Sequence, residues 1–228
     1  RKLWSPYAMR PAAMRLNPFS SPVRPLLAGR EGAVSAAHPL AVAAAQEVLV
    51  AGGNAVDATI AAQAVIGVVS PDACGIGGDG FYLVRTPDGE VVAANGAGAS
   101  ARAQTAPAAD GLVHSWQILS TRWGRVPLGQ ALAPAIRHAR AGVRLEPHVA
   151  AAVKAQRKRL RRGAGRHWSL LDKREGDHWE QPELANTLDE IAKSGVSGFY
   201  QGPIGQAIVH AVGSEGGCLT ADDLAASG

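Results

Sequence analysis

The chain has little cysteine: Cys74 and Cys218 are the two in 228 residues. That is too few for a disulfide scaffold, and their spacing matches no metal motif. Aromatic residues make up 5% of the sequence, so its core must be built from small and branched side chains. No apolar run reaches the roughly 20 residues of a membrane span. The chain therefore reads as soluble, with no membrane partner expected. An intact secretory signal is missing as well. Residues 1–31 carry Arg, Pro and scattered Met, without an apolar stretch between a basic start and a small-residue cleavage site. They read as an irregular N-terminal arm, and the compartment stays open between cytoplasm and periplasm.

What is present suits a folded globular protein: 46% hydrophobic and 18% charged residues, with 27 glycines. A chain of this length can bury roughly 70% of its unfolded surface as one domain, expected here over residues 32–228. The net charge of +4 makes an anionic partner conceivable. Its distribution argues against nucleic acid. Lys154, Arg157, Lys158, Arg159, Arg161, Arg162 and Arg166 cluster in one segment, where helical spacing opposes a basic face to a thin stripe of Val149, Val153 and Leu160. A nucleic-acid groove would interleave aromatics for stacking, and Trp168 is the one nearby. A solvated surface helix is the expectation.

The stretch from His38 to Ala101 is the most informative. Pro39 suits the first turn of a helix running to Ala51, nearly apolar all round and so buried. Gly52-Gly53 ends it. Asn54 with Asp57 three residues on forms an N-terminal capping pattern for a second buried helix, Val56 to Val69. His38, at the first helix start, is expected to cap or pack rather than to catalyse. Pro71 stops the second helix. Then come four glycines in six residues, Gly75 to Gly80, costly to order because glycine loses most backbone freedom on folding. Phe81–Val84 and Val91–Ala94 read as a hairpin around Thr86-Pro87-Asp88-Gly89. Asn95-Gly96-Ala97-Gly98 follows as a second small-residue loop.

Further helices are expected over Gly111–Arg122, Pro127–Arg140 and from Pro182, with Phe199 to Pro203 as a turn into Ile204–Val212. Thr220 with Asp223 starts a last helix that breaks off at Gly228, so the chain reads as a fragment or one product of a cleavage, incomplete at its C-terminus.

Phosphate-cradling motifs place strand, glycines and helix in that order, and here the order is helix, glycines, strand. The histidines are scattered without ligand spacing, so neither a metal nor a cofactor is expected. No Gly-x-Ser-x-Gly elbow occurs. The residues by themselves name no nucleophile.

Several motifs nevertheless resemble one family. Ala37-His38-Pro39-Leu40-Ala41, Gly52-Gly53-Asn54-Ala55-Val56-Asp57-Ala58, Gly75-Ile76-Gly77-Gly78-Asp79-Gly80-Phe81 and Leu132-Ala133-Pro134-Ala135-Ile136 are similar to the large-subunit half of γ-glutamyltranspeptidases. Phe199 to Pro203 and Leu219 to Leu224 continue the match in order. The resemblance implies an α+β fold, the four-layer αββα arrangement of N-terminal nucleophile hydrolases, to which this chain would give helices and part of the sheets. It implies a self-cleaving precursor whose small subunit begins with a Thr nucleophile that uses its own amine as base. That Thr would attack an amide and pass the acyl group to water or an amine. No catalytic residue would then lie in this chain.

One departure stands out. Members acting on γ-glutamyl compounds carry Asp-Gly-Arg-Glu-Thr-Ala-Pro after the hairpin, the Arg clamping the substrate α-carboxylate. Here the stretch reads Asn95-Gly96-Ala97-Gly98-Ala99-Ser100, with Ala97 at the Arg position and no Arg until Arg102. A bidentate Arg–carboxylate contact is not replaced by Ala. Asn95, Gly96 and Ala97 are therefore the substrate-binding candidates. The donor is expected to be a small amide or an acyl side chain such as glutaryl, as in an amidohydrolase or acylase branch. A non-catalytic homologue that keeps the scaffold and a basic nucleic-acid-binding module are the two alternatives.

Overall fold

The computed structural model describes residue 29, residues 32–98 and residues 111–225. The expected N-terminal arm apart from residue 29, and Ser100, Arg102 and Gly228, lie outside them.

The first two helices start where side chains satisfy their free amides. Helix α1 (Pro39–Val50) is capped by His38, whose Nδ1 accepts from the Leu40 amide at 3.0 Å. Helix α2 (Ala55–Val69) starts with a capping box. Asn54 Oδ1 accepts from the amides of Val56 and Asp57, and Asp57 Oδ2 accepts from the Asn54 amide. Gly52, at φ +96°, turns the chain between them. The expected roles of His38, Asn54 and Asp57 are those observed.

Hairpin strands β1 (Gly80–Arg85) and β2 (Val91–Gly96) pair antiparallel from Gly80↔Gly96 to Arg85↔Val91. Helices α3 (Leu112–Trp123) and α4 (Leu128–Ala141) follow. A short bridge joins β3 (Val143–Arg144) to β4 (His178–Trp179) around α5 (Pro147–Leu160) and two 3-10 turns. Helices α6 (Pro182–Tyr200), α7 (Pro203–Ser214) and α8 (Ala221–Ala225) complete the described chain. No described helix is long and apolar enough to cross a membrane.

Helix α2 packs against α1 on one side and α4 on the other, and α4 in turn packs against α6. Ala41 and Ala44 of α1 and Ala61 and Ala64 of α2 are buried. Ile60, Val65, Leu132, Leu188 and the fully buried Trp116 fill the core beyond them. Each large side chain buried there stabilises the fold by about 1.5–3 kcal/mol. A second, smaller cluster forms under α5 from Val149, Val153, Leu170, Leu171 and Trp179. The basic face of α5 is largely exposed as expected. Just after α5, Arg161 pairs with Asp172 and Arg166 with Glu215, so part of the charge of the basic segment is engaged within the chain.

One expected turn is displaced. Phe199 and Tyr200 are helical and buried, in an edge-to-face pair with centroids 4.9 Å apart. Two large rings gain more by continuing α6 into the core than by forming a surface turn. The break instead falls at Gly195, with φ +62°, and the connection to α7 shortens to Gln201-Gly202.

Candidate functional site

The glycine loop and the loop after the hairpin meet at one end of the β1–β2 ladder. Gly75, Gly77, Gly78 and Gly80 are not among the glycines with positive φ. Close approach is required at two of them instead: a Cβ on Gly80 would stand 2.8 Å from the Tyr82 ring and one on Gly78 3.2 Å from Gly75 O, whereas Gly75 has open space around it. Gly78 O accepts from the Leu112 amide at 3.0 Å, which ties the loop to the start of α3. The last rung of the ladder, Gly80↔Gly96, lies against that helix. A Cβ on Gly96 would stand 2.5 Å from Ser115 Cβ and 2.8 Å from Gly80 O. One on Gly111 would stand 2.1 Å from Gly96 O. The glycines thus let two strands and a helix start converge, which is the helix-to-strand crossing rather than a phosphate cradle.

Beneath the hairpin lies a polar cluster. Tyr82 Oη donates to Gln63 Oε1 at 2.7 Å and lies 3.0 Å from Ser115 Oγ, while Trp116 Nε1 donates to the same Gln63 oxygen at 2.8 Å. Burial pushes the Tyr82 phenol above its ordinary range, and the hydrogen bonds from its neighbours offset this in part.

Beyond Gly96 the ladder ends and side chains hold the backbone. Asn95 Oδ1 accepts from the Ala97 amide at 2.9 Å, and Asp79 Oδ1 accepts from the Gly98 amide at 2.8 Å. Asn95 and Ala97 are exposed, whereas Gly96 is buried. The three candidate residues are therefore contiguous but not equivalent: Gly96 supports, and Asn95 and Ala97 face outward. Beside them is a hollow of about 400 Å³ lined by Pro71, Cys74, Gly75, Gly78 and Asp79. Burial raises the Cys74 thiol pKa, partly countered by a backbone contact at Gly75, so it stays protonated at neutral pH.

Asp79 was not among the sequence candidates. It sits in a quoted motif, but its partner is nineteen residues away and no local pattern announces the pairing. A second grouping also escaped the sequence. His38 Nε2 lies 2.8 Å from Glu146 Oε1, and Glu146 Oε2 lies 3.3 Å from His148 Nδ1. His148 Nε2 in turn is 3.4 Å from Ser70 Oγ and 3.9 Å from Asp72 Oδ1. Ser70 is buried, so this grouping joins α1, α5 and the start of the glycine loop rather than offering an accessible nucleophile.

The outer face of the hairpin is open and apolar. Phe81 is 71% exposed, Leu83 79% and Val91 62%. Along β1 runs a groove of about 500 Å³, lined by Asn54, Val56, Leu83, Trp123 and Arg125 among others.

A family model described as gamma-glutamyltranspeptidase matches residues 41–227. The chain is 31% identical over 221 residues to the oxamate amidohydrolase proenzyme of Klebsiella pneumoniae, covering 86% of this chain and 42% of that protein. Among solved structures it superimposes on γ-glutamyltranspeptidase of Helicobacter pylori with a TM-score of 0.83 and 30% identity, over 90% of this chain and 66% of the other. The cephalosporin acylase of Bacillus halodurans gives 0.74 and 29%, over 91% and 45%. The chain thus spans less than half the length of the curated relative. Its fold is α+β, that of the N-terminal nucleophile hydrolases, and it supplies helices and part of the sheets. With a match running from the first core helix to the last, this chain belongs to the γ-glutamyltranspeptidase family.

Proposed function

We propose that this chain is the large-subunit portion of a self-cleaving precursor. Its assembled form transfers or hydrolyses the acyl group of an amide through the N-terminal Thr of a small subunit, with a donor other than an ordinary γ-glutamyl group. The observation that carries the donor specificity is Ala97, exposed on the loop after β2 and held there by the Asn95 and Asp79 side chains. A methyl group supplies neither the charge nor the paired N–H donors that a carboxylate needs. The names of two similar proteins, an oxamate amidohydrolase and a cephalosporin acylase, agree with a branch that acts on amides of other acyl groups.

The small subunit has a place to sit. A two-stranded sheet with an exposed apolar face and a β1 edge unpaired among the described residues is not a stable end state, because unpaired strand edges and large apolar patches recruit further chain. The remainder of the precursor covers Phe81, Leu83 and Val91 and continues the sheet. Asn95, Gly96 and Ala97 then form one wall of the donor pocket, with the nucleophile brought from the other subunit.

The test is expression of the whole precursor. N-terminal sequencing of the purified protein is expected to find a second chain beginning with Thr. Turnover of a butyryl anilide, whose acyl group has no carboxylate, is expected to exceed that of the γ-glutamyl anilide. A precursor that stays uncut and inactive, or one that prefers the γ-glutamyl anilide, would refute the proposal.

A further inference from the structure

Resting on the reading that residues 95–97 wall the donor pocket, we infer that Asp79 is the positioning residue of that wall. Its carboxylate sets where Ala97 stands without touching the substrate's reacting atoms.

The loop needs such a residue because the regular hydrogen bonding stops at the Gly80↔Gly96 rung. Asn95 Oδ1, which accepts from the Ala97 amide, lies two residues away and moves with the loop it belongs to. It shapes the turn but cannot fix the turn against the rest of the protein. Asp79 can, because it comes from the other strand's approach, nineteen residues earlier, and takes the Gly98 amide at 2.8 Å. Its own backbone is held on both sides. Gly78 accepts from the start of α3, and Gly80 is the first residue of β1. The anchor is therefore rigid and its contact is charge-assisted, the stronger kind of hydrogen bond.

The placement also explains an acidic residue in a loop otherwise made of glycines and Ile76. Asp79 borders the hollow lined by Pro71, Cys74 and Gly78 on one side and the Ala97 loop on the other. Tethering Gly98 leaves Ala97 between two fixed points, Gly96 against Ser115 and Gly98 against Asp79. Loss of the tether is expected to loosen donor binding rather than to slow bond making, because the nucleophile and its base lie elsewhere.

The experiment uses the full two-chain protein and the amide it turns over best in a panel of small-acyl p-nitroanilides. Asp79→Ala is expected to raise KM about tenfold with kcat changed less than about threefold. Hydrogen exchange in the peptide carrying Gly98 is expected to accelerate by about tenfold as well. Asp79→Asn keeps an acceptor oxygen but not the charge, and is expected to restore both readouts part of the way, to within about threefold of wild type, which a merely structural role would not require. Unchanged KM in Asp79→Ala overturns the inference, as does a uniform loss of kcat and stability in both variants. Ala97→Arg separates the two levels. If it shifts donor preference while Asp79→Ala does nothing, the pocket reading stands and the tether fails. If neither substitution alters KM although Gly98 exchange quickens, the pocket lies elsewhere and both ideas fall.

Discussion

His38 Nε2 stands 2.8 Å from Glu146 Oε1 while Nδ1 of the same ring caps α1 at Leu40. One imidazole therefore joins the first helix of the core to the start of α5. The arrangement requires the tautomer with the proton on Nε2, since Nδ1 is the acceptor. His38→Ala is expected to lower stability by about 1–2 kcal/mol, the range for loss of a helix cap. His38→Asn keeps a capping oxygen and is expected to cost less, as measured by urea denaturation at constant m-value.

Asp57 is fully buried. Its Oδ2 accepts from the amides of Asn54 and Arg125, both at 2.9 Å, and Oδ1 has no hydrogen-bond partner among the described residues. Asp57→Ala would leave two amides unpaired inside the protein. A loss of about 2–4 kcal/mol is expected, at about 1–3 kcal/mol for each orphaned group less the relief of the charge. The thermal midpoint of the assembled protein checks it.

The glycines around the site should respond differently. Gly96→Ala would drive a Cβ into Ser115 and the Gly80 carbonyl, and is expected to cost about 1–3 kcal/mol. Gly75→Ala meets no atom within 4 Å. It is expected to be neutral or to stabilise by up to about 1 kcal/mol through the unfolded chain. Equal effects at the two positions in a melting experiment would contradict the close-approach account.

Cys74 supplies a pH dependence with a definite sign. Burial holds its thiol above the ordinary value, so the folded state gives up that proton later than the unfolded one. The resulting contribution is complete below the unfolded thiol pKa and fades as pH rises toward the folded value. Between about pH 8 and 10 the melting temperature of the wild type is expected to fall more steeply than that of Cys74→Ser. Parallel slopes would remove Cys74 from the account.

Donor choice can be moved at Ala97. Ala97→Arg is expected to improve kcat/KM for a γ-glutamyl anilide by about tenfold or more, chiefly through KM, since a charge-assisted bidentate contact contributes at least 1.4 kcal/mol. A smaller gain than at a control surface position would show that residue 97 does not face the donor.

Local chemistry made much of this protein readable in advance. The Asn54–Asp57 capping box, the Thr86–Gly89 turn and the glycines closing α1 act over a few residues. Their outcome depends on backbone dihedrals and nearby amides. The same holds for the motifs that pointed to the family and for the Ala at position 97. Sequence alone therefore determined most of the helices and the hairpin. Tertiary structure decided what those pieces meet. Asp79 reaches Gly98, His38 reaches Glu146, and the Phe199–Tyr200 pair turns into the core, because these contacts join residues that chain order keeps apart. Such pairings depend on how separate elements pack against one another, and no periodicity within one segment carries that information.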